Sequence, residues 1–197
     1  DLYQNLEVVG SLGAGVDHLF SDPSLPKHVK LTRVVDEKLS DDMQEFVLAL
    51  CLNQIKNLNT YSQSNHEWNP LHYRRVNDVT VGILGFGTLG QAVGKKLQSV
   101  GFKVVGWSKS EKHVDGIQSF AKNELDEFLS HCEILVCLLP LTDETKGILN
   151  KELFHKLPDG AYIINVARGG HLKEEDLIDG LTSKKISGAT LDVFQKE

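Results

Sequence analysis

Gly85-Phe86-Gly87-Thr88-Leu89-Gly90 restricts how this chain can fold more than any other stretch, because of the patterns on either side of it. Before it runs Val79-Thr80-Val81-Gly82-Ile83-Leu84, β-branched and apolar enough for a buried parallel strand. After it, Leu89, Val93 and Leu97 recur at helical spacing, while Gln91, Lys95, Lys96 and Gln98 fall mostly on the other face. Lys103-Val104-Val105-Gly106-Trp107 then reads as a second strand. Strand, glycine turn, helix, strand is the context in which G-x-G-x-x-G marks a dinucleotide site. Gly85 allows a tight turn, Gly87 lets backbone approach a pyrophosphate, and Gly90 lets helix and strand pack closely. The helix start offers free N–H groups and the positive end of a dipole to the phosphates, so Phe86, Thr88 and Leu89 join the expected cofactor contacts. The alternative is a glycine-rich turn in an ordinary α/β domain.

The rest of the chain extends this unit. Residues 123–130 read as a helix, 134–138 as a strand, 150–157 as a short helix and 161–165 as a strand. Residues 172–181 are expected as a helix and 186–193 as a closing strand. Alternation with short connections predicts an α/β fold, a doubly wound parallel sheet of Rossmann type over residues 40–197. Upstream, 5–11 and 31–35 read as short strands around Gly13-Ala14-Gly15-Val16-Asp17. They are too little for a domain, so residues 1–39 are expected to be the tail of one whose earlier part is absent. Ser40 looks like an N-cap, with Asp41 and Asp42 in the first turn of a helix over 41–59. Met43, Phe46, Val47, Leu50 and Cys51 form an apolar stripe on it. Leu48, Ala49 and Leu52 widen the stripe almost all round, which predicts burial on more than one side, between domains or subunits. Residues 59–78 are polar and irregular, a loop long enough to suggest function or an interface.

Composition closes off several functions. The 197 residues are 41% hydrophobic and 24% charged, as in soluble globular proteins. A net charge of −6 argues against nucleic acid as a partner. The longest apolar run, 134–141, contains Pro140 and is only strand length, so no membrane span is expected. The first residues carry no basic region of a signal peptide. Cys51, Cys132 and Cys137 are an odd number, and Cys51 and Cys137 read as small core residues in a reducing, cytoplasmic setting. No Cys/His cluster has metal-site spacing, so no metal is expected.

The second strand of a dinucleotide unit commonly ends in a carboxylate that binds the ribose hydroxyls of NAD. Here Trp107 is followed by Ser108-Lys109-Ser110-Glu111-Lys112. Ammonium and hydroxyl groups suit a 2′-phosphate, which a carboxylate would repel. Trp107, Ser108, Lys109 and Lys112 therefore point to NADP(H) in preference to NAD(H). A solvated Lys/Ser loop is the alternative, and Glu111 dilutes its charge.

Ile164-Asn165-Val166-Ala167-Arg168-Gly169-Gly170, Leu191-Asp192-Val193-Phe194-Gln195-Lys196-Glu197, Leu139-Pro140-Leu141-Thr142 and Ser11-Leu12-Gly13-Ala14-Gly15-Val16-Asp17-His18 together resemble the D-isomer-specific 2-hydroxyacid dehydrogenases. Within that family the chain most resembles the bacterial glyoxylate/hydroxypyruvate reductase A group, over essentially its whole length. The resemblance implies an oxidoreductase that transfers hydride to a small 2-oxo acid, with glyoxylate and hydroxypyruvate reduced to glycolate and D-glycerate. It also implies that residues 1–39 belong to a flavodoxin-like substrate domain.

Arg168 would be the cation for the substrate carboxylate or ketone, since its planar fork matches either. The resemblance assigns the backbone of Ala14 and Gly15 to the substrate carboxylate. It assigns Leu139, Pro140, Val166, Ala167 and Asp192 to the cofactor, Asp192 at the nicotinamide carboxamide. Glu197 falls on the Glu that pairs with a general-acid His, and that His would lie beyond Glu197. His171 reads instead as a helix-start residue. The chain is thus expected to be truncated at both ends. Trp68 lies on a loop similar to one that reaches a neighbouring subunit's active site in related reductases. This predicts a homodimer built on the 41–59 helix, with Trp68 near the partner's substrate pocket. Packing of Trp68 on its own domain is the alternative. Two other functions stay open: a cofactor-sensing, corepressor-like binding protein of the same fold, and a reductase of a bulkier 2-oxo acid.

Overall fold

A computed structural model describes residues 5–13, 15–16, 19, 22–34, 36–62, 68 and 70–196. Strands β1 (Val8–Ser11) and β2 (Lys30–Arg33) pair in parallel as a two-stranded sheet of their own. The remaining strands are β3 (Thr80–Leu84), β4 (Lys103–Trp107), β5 (Gln118–Phe120), β6 (Ile134–Cys137), β7 (Ala161–Asn165) and β8 (Ile186–Leu191). They form one six-stranded sheet in the order β5-β4-β3-β6-β7-β8, every pair parallel. The order turns back at β3, which has β4 on one side and β6 on the other. This is the doubly wound topology expected from the alternation of patterns.

The central strands are buried because both faces are covered. Helices α1 (Glu37–Lys56) and α3 (Thr88–Ser99) lie on one face, where Val47, Cys51 and Ile55 meet Val93 and Leu97 over Val81, Ile83 and Val104. On the other face, α4 (Leu125–Ser130), α5 (Lys151–Lys156) and α6 (Glu174–Thr182) supply Phe128, Leu129, Leu153, Phe154 and Leu177. Those side chains pack on Val105, Leu135 and Ile163. All three cysteines are free and buried.

Several local expectations change. Helix α1 starts at Glu37 rather than after Ser40, because the Asp36 carboxylate caps it by accepting from the Lys38 amide at 2.9 Å. It ends at Asn57, whose left-handed backbone (φ 56°) stops it, and a short helix α2 (Leu58–Ser62) follows. The 59–78 segment is therefore helical at its start, and a 3-10 turn, Val76–Asp78, closes it. The strap before that turn is clasped to the end of α1: Lys56 Nζ donates to the Arg74 carbonyl at 2.9 Å and Asn57 Nδ2 to that of His72 at 2.9 Å. Within this chain α1 buries a single stripe, Val47, Cys51 and Ile55, while Leu39 and Phe46 are exposed. The polar connection after β4 contains the unexpected strand β5, held on the edge by the Ser108 amide donating to the Phe120 carbonyl at 3.1 Å. A 3-10 turn, Lys122–Glu124, precedes α4, so the helix expected from residue 123 begins later. Helix α6 begins at Glu174 and β8 ends at Leu191, both shorter than the patterns suggested.

Candidate active site

The strands end in a common row. Phe120 is in register with Trp107, Trp107 with Leu84, Leu84 with Cys137, Cys137 with Asn165, and Asn165 with Leu191. The residues singled out after β3, β4, β6, β7 and β8 leave the sheet just past that row. They are the Gly85–Gly90 turn, Ser108 to Lys112, Leu139-Pro140, Val166 to Arg168, and Asp192. They therefore meet along one carboxyl edge, at the point where the strand order reverses, which is where open α/β sheets bind ligands.

The glycine turn is held from beneath. The amides of Gly85 and Phe86 both donate to the Trp107 carbonyl, at 3.0 and 2.8 Å. Gly85 has φ +113°, and a Cβ there would lie 2.7 Å from the Leu138 carbonyl carbon, so no other residue fits without movement. Above the turn the space is open: a Cβ on Gly87 would meet nothing within 4 Å. Among the described residues, no side chain caps the N-terminus of α3. Open space above uncapped amides fits a phosphate. Thr88 is exposed and Leu89 half-buried at this point. Phe86 and Trp107, expected among the cofactor contacts, are both buried. The Phe86 ring is fully buried under Gly94 and Gly106, and its amide is already engaged. Trp107 is buried and belongs to the core, its Nε1 without a hydrogen-bond partner among the described residues. Both residues shape the turn through the Phe86 amide and the Trp107 carbonyl.

The segment after β4 gathers donors. Ser108 Oγ donates to the Ser110 carbonyl at 2.8 Å, and Lys112 Nζ to Ser110 Oγ at 2.8 Å. Lys109 is exposed. Across the edge, Leu139 is buried and Pro140 exposed, with the Pro140 carbonyl accepting from Thr145 Oγ1 at 2.6 Å.

Asn165 organises the Arg168 loop. It is fully buried at the end of β7; its Nδ2 donates to the Arg168 carbonyl at 3.0 Å and its Oδ1 accepts from the Ala167 amide at 3.2 Å. His171, fully buried at the end of the 3-10 turn Gly169–His171, sets Nδ1 3.1 Å from the same Arg168 carbonyl. His171 is thus a brace for the Arg168 loop rather than the start of α6. Val166 and Ala167 are buried, Arg168 is half-buried, and its Nη1 donates to the Ala167 carbonyl at 2.7 Å. Gly169 lets the 192–196 segment come against the loop: a Cβ there would lie 1.9 Å from the Phe194 carbonyl carbon. Asp192 is exposed, and its amide donates to the Asn165 carbonyl at 3.0 Å.

Gly15 follows β1, and Ser11 Oγ donates to its carbonyl at 3.4 Å. Trp68 is 91% exposed. Ala14, Asp17, His18 and Glu197 lie outside the described residues. Sequence reading singled out neither Asn165 nor Gly169 as site residues, although both stand in the motif that carries Arg168.

A carboxyl edge with an open glycine turn, a cluster of ammonium and hydroxyl groups and a braced arginine can hold a dinucleotide beside a small carboxylate. The sequence profile of the D-isomer specific 2-hydroxyacid dehydrogenase NAD binding domain matches residues 47–197. The chain belongs to the D-isomer specific 2-hydroxyacid dehydrogenases. Solved structures in this family superpose closely. The NADPH-dependent glyoxylate/hydroxypyruvate reductase of Sinorhizobium meliloti, in complex with NADP and sulfate, is 42% identical with a TM-score of 0.95, covering 100% of this chain and 65% of that one. A D-isomer specific 2-hydroxyacid dehydrogenase of Xanthobacter autotrophicus, in complex with NADPH and MES, is 41% identical with a TM-score of 0.93, covering 99% and 62%. A probable 2-hydroxyacid dehydrogenase of Rhizobium etli, in complex with NADP, HEPES and L(+)-tartaric acid, is 40% identical with a TM-score of 0.93, covering 100% and 65%. This dehydrogenase chain thus spans just under two thirds of the length of these relatives.

Proposed function

We propose that the full-length protein is an NADPH-dependent reductase of glyoxylate and hydroxypyruvate, yielding glycolate and D-glycerate. The observation that carries this reading is the register row, which gathers the glycine turn, the Ser108–Lys112 donors and the Arg168 loop on one edge. A reduced nicotinamide held there supplies the hydride. Ser108, Lys109 and Lys112 bind the 2′-phosphate, and the α3 N-terminus binds the pyrophosphate. Arg168 binds the carboxylate or ketone oxygen of the 2-oxo acid and stabilises negative charge that develops on it. Asn165 and His171 hold the Arg168 backbone so that the guanidinium stays in place. The Sinorhizobium meliloti relative is named for this activity.

Residues before α1 belong, in this reading, to a substrate-binding domain that includes Gly15. The assembly is a homodimer on the α1–α2 lobe, which exposes Leu39, Phe46, Leu58, Tyr61, Trp68 and Tyr73. Three free, buried cysteines accord with a cytoplasmic setting. The test is steady-state oxidation of NADPH by the full-length protein with glyoxylate and with hydroxypyruvate. Turnover of both, with NADH a poorer donor, supports the reading. Absence of turnover with either acid overturns it.

A further inference from the structure

An ion-pair cluster crosses the crevice. Glu144 Oε2 lies 3.3 Å from Lys122 Nζ and 3.9 Å from Lys109 Nζ. The three residues come from different connections: Lys109 follows β4, Lys122 follows β5, and Glu144 follows β6. Because β3 stands between β4 and β6, the cluster joins connections that leave the sheet on either side of β3, and through Lys109 it reaches the segment that carries Ser108 and Lys112. Glu144 is carried on a closed turn. The Thr142 amide donates to Thr145 Oγ1 at 2.8 Å, the Lys146 amide to the Thr142 carbonyl at 2.9 Å, and Thr145 Oγ1 to the Pro140 carbonyl at 2.6 Å.

We propose that Lys122 and Glu144 set the strength of the cofactor preference. Lys122 is a further ammonium for the 2′-phosphate, and Glu144 is the internal counter-anion that this phosphate displaces. The inference rests on the reading of Ser108 to Lys112 as the 2′-phosphate site. A phosphate carries more negative charge than one carboxylate and offers more acceptor oxygens, so it replaces Glu144 on both ammonium groups. A cofactor without the phosphate leaves the Glu144 pairs as they are. All three side chains are more than half exposed, so the effects are several-fold rather than large.

The experiment is fluorescence titration of the full-length protein with NADPH, NADH and 2′,5′-ADP at low salt. Glu144→Gln should tighten NADPH and 2′,5′-ADP by about two- to five-fold, and Lys122→Met should weaken both by a similar factor. NADH affinity should stay within about two-fold in each variant, a selectivity that loss of general structure would not produce. If the unsubstituted protein prefers NADPH but both variants shift NADPH and NADH equally, or not at all, the inference is overturned and the 2′-phosphate reading stands. If the unsubstituted protein binds NADPH and NADH equally and 2′,5′-ADP does not compete, both are overturned together.

Discussion

Arg168 extends from a loop whose backbone is tied down at three points by buried groups. The Asn165 amide bridges the Ala167 amide and the Arg168 carbonyl, and His171 Nδ1 lies 3.1 Å from that carbonyl. Replacing the guanidinium should therefore remove charge without moving the loop. Arg168→Ala is expected to lower kcat/KM for glyoxylate at least about a hundredfold, on the order of 3 kcal/mol, with NADPH affinity retained. Arg168→Lys should recover little, because an ammonium cannot make a planar bidentate contact. Near-normal turnover of either variant would show that another group holds the substrate. Asn165→Asp tests the support itself. It sets a buried carboxylate oxygen against the Arg168 carbonyl, where an amide N–H had donated. A loss of about 1–3 kcal/mol in urea denaturation is expected, together with reduced kcat/KM. Unchanged stability would mean that the amide bridge contributes little.

At the scale of elements, the β4 end and the three buried cysteines make separate predictions. Ser108 closes a loop in which Lys112 and Ser110 are already paired, so a carboxylate at position 108 would face the phosphate that these groups would otherwise bind. Ser108→Asp combined with Lys109→Gln should reverse the preference from NADPH to NADH, read as the ratio of kcat/KM values. Retention of the NADPH preference would move the 2′-phosphate site elsewhere. Cys51 on α1 and Cys137 on β6 are desolvated, which pushes each thiol up from 9.0 to about 12, and Cys132 is raised by the same cause. Native protein at pH 8 should therefore resist an aromatic disulfide reagent that labels all three after denaturation. The folded thiols hold their protons longer than the unfolded ones. Their contribution to stability is complete below about pH 9 and falls as the pH rises from there toward about 12. Rapid labelling of native protein would contradict the packing described.

The lobe of α1, α2 and the following strap exposes Leu39, Phe46, Leu58, Tyr61, Trp68 and Tyr73, with Trp68 91% exposed. Exposed aromatic surface of that kind is concentrated at interfaces. Sedimentation of the full-length protein at micromolar concentration should give a dimer. Trp68→Ala should change the ratio of kcat/KM for glyoxylate and hydroxypyruvate. A monomer would rule out the two-fold assembly, and a change confined to thermal stability would make Trp68 structural.

The central α/β unit was legible from local pattern, because its strands are buried on both faces and its helix on one. Apolar periodicity therefore marked β3, β4, β6 and β7 to within a residue or so and showed a helix where α3 lies, and the glycine spacing marked the turn between β3 and α3. The motif around Arg168 was legible for a similar reason: its parts lie within a few residues of each other. Other features have no local signature. The segment Gln118–Phe120 is too short to alternate and is a strand because the edge of β4 offers it hydrogen bonds. Helix α1 starts before Ser40, the cap read from the sequence, because Asp36 reaches the Lys38 amide. Phe86 belongs to the core because Gly94 and Gly106 leave room for its ring. The meeting of Lys109, Lys122 and Glu144 depends on strand order, since only the parallel register of β5, β4, β3 and β6 brings three separate connections to one edge. Sequence determined the parts, whose forces act over a few residues; the tertiary structure determined which of their ends stand within reach of each other.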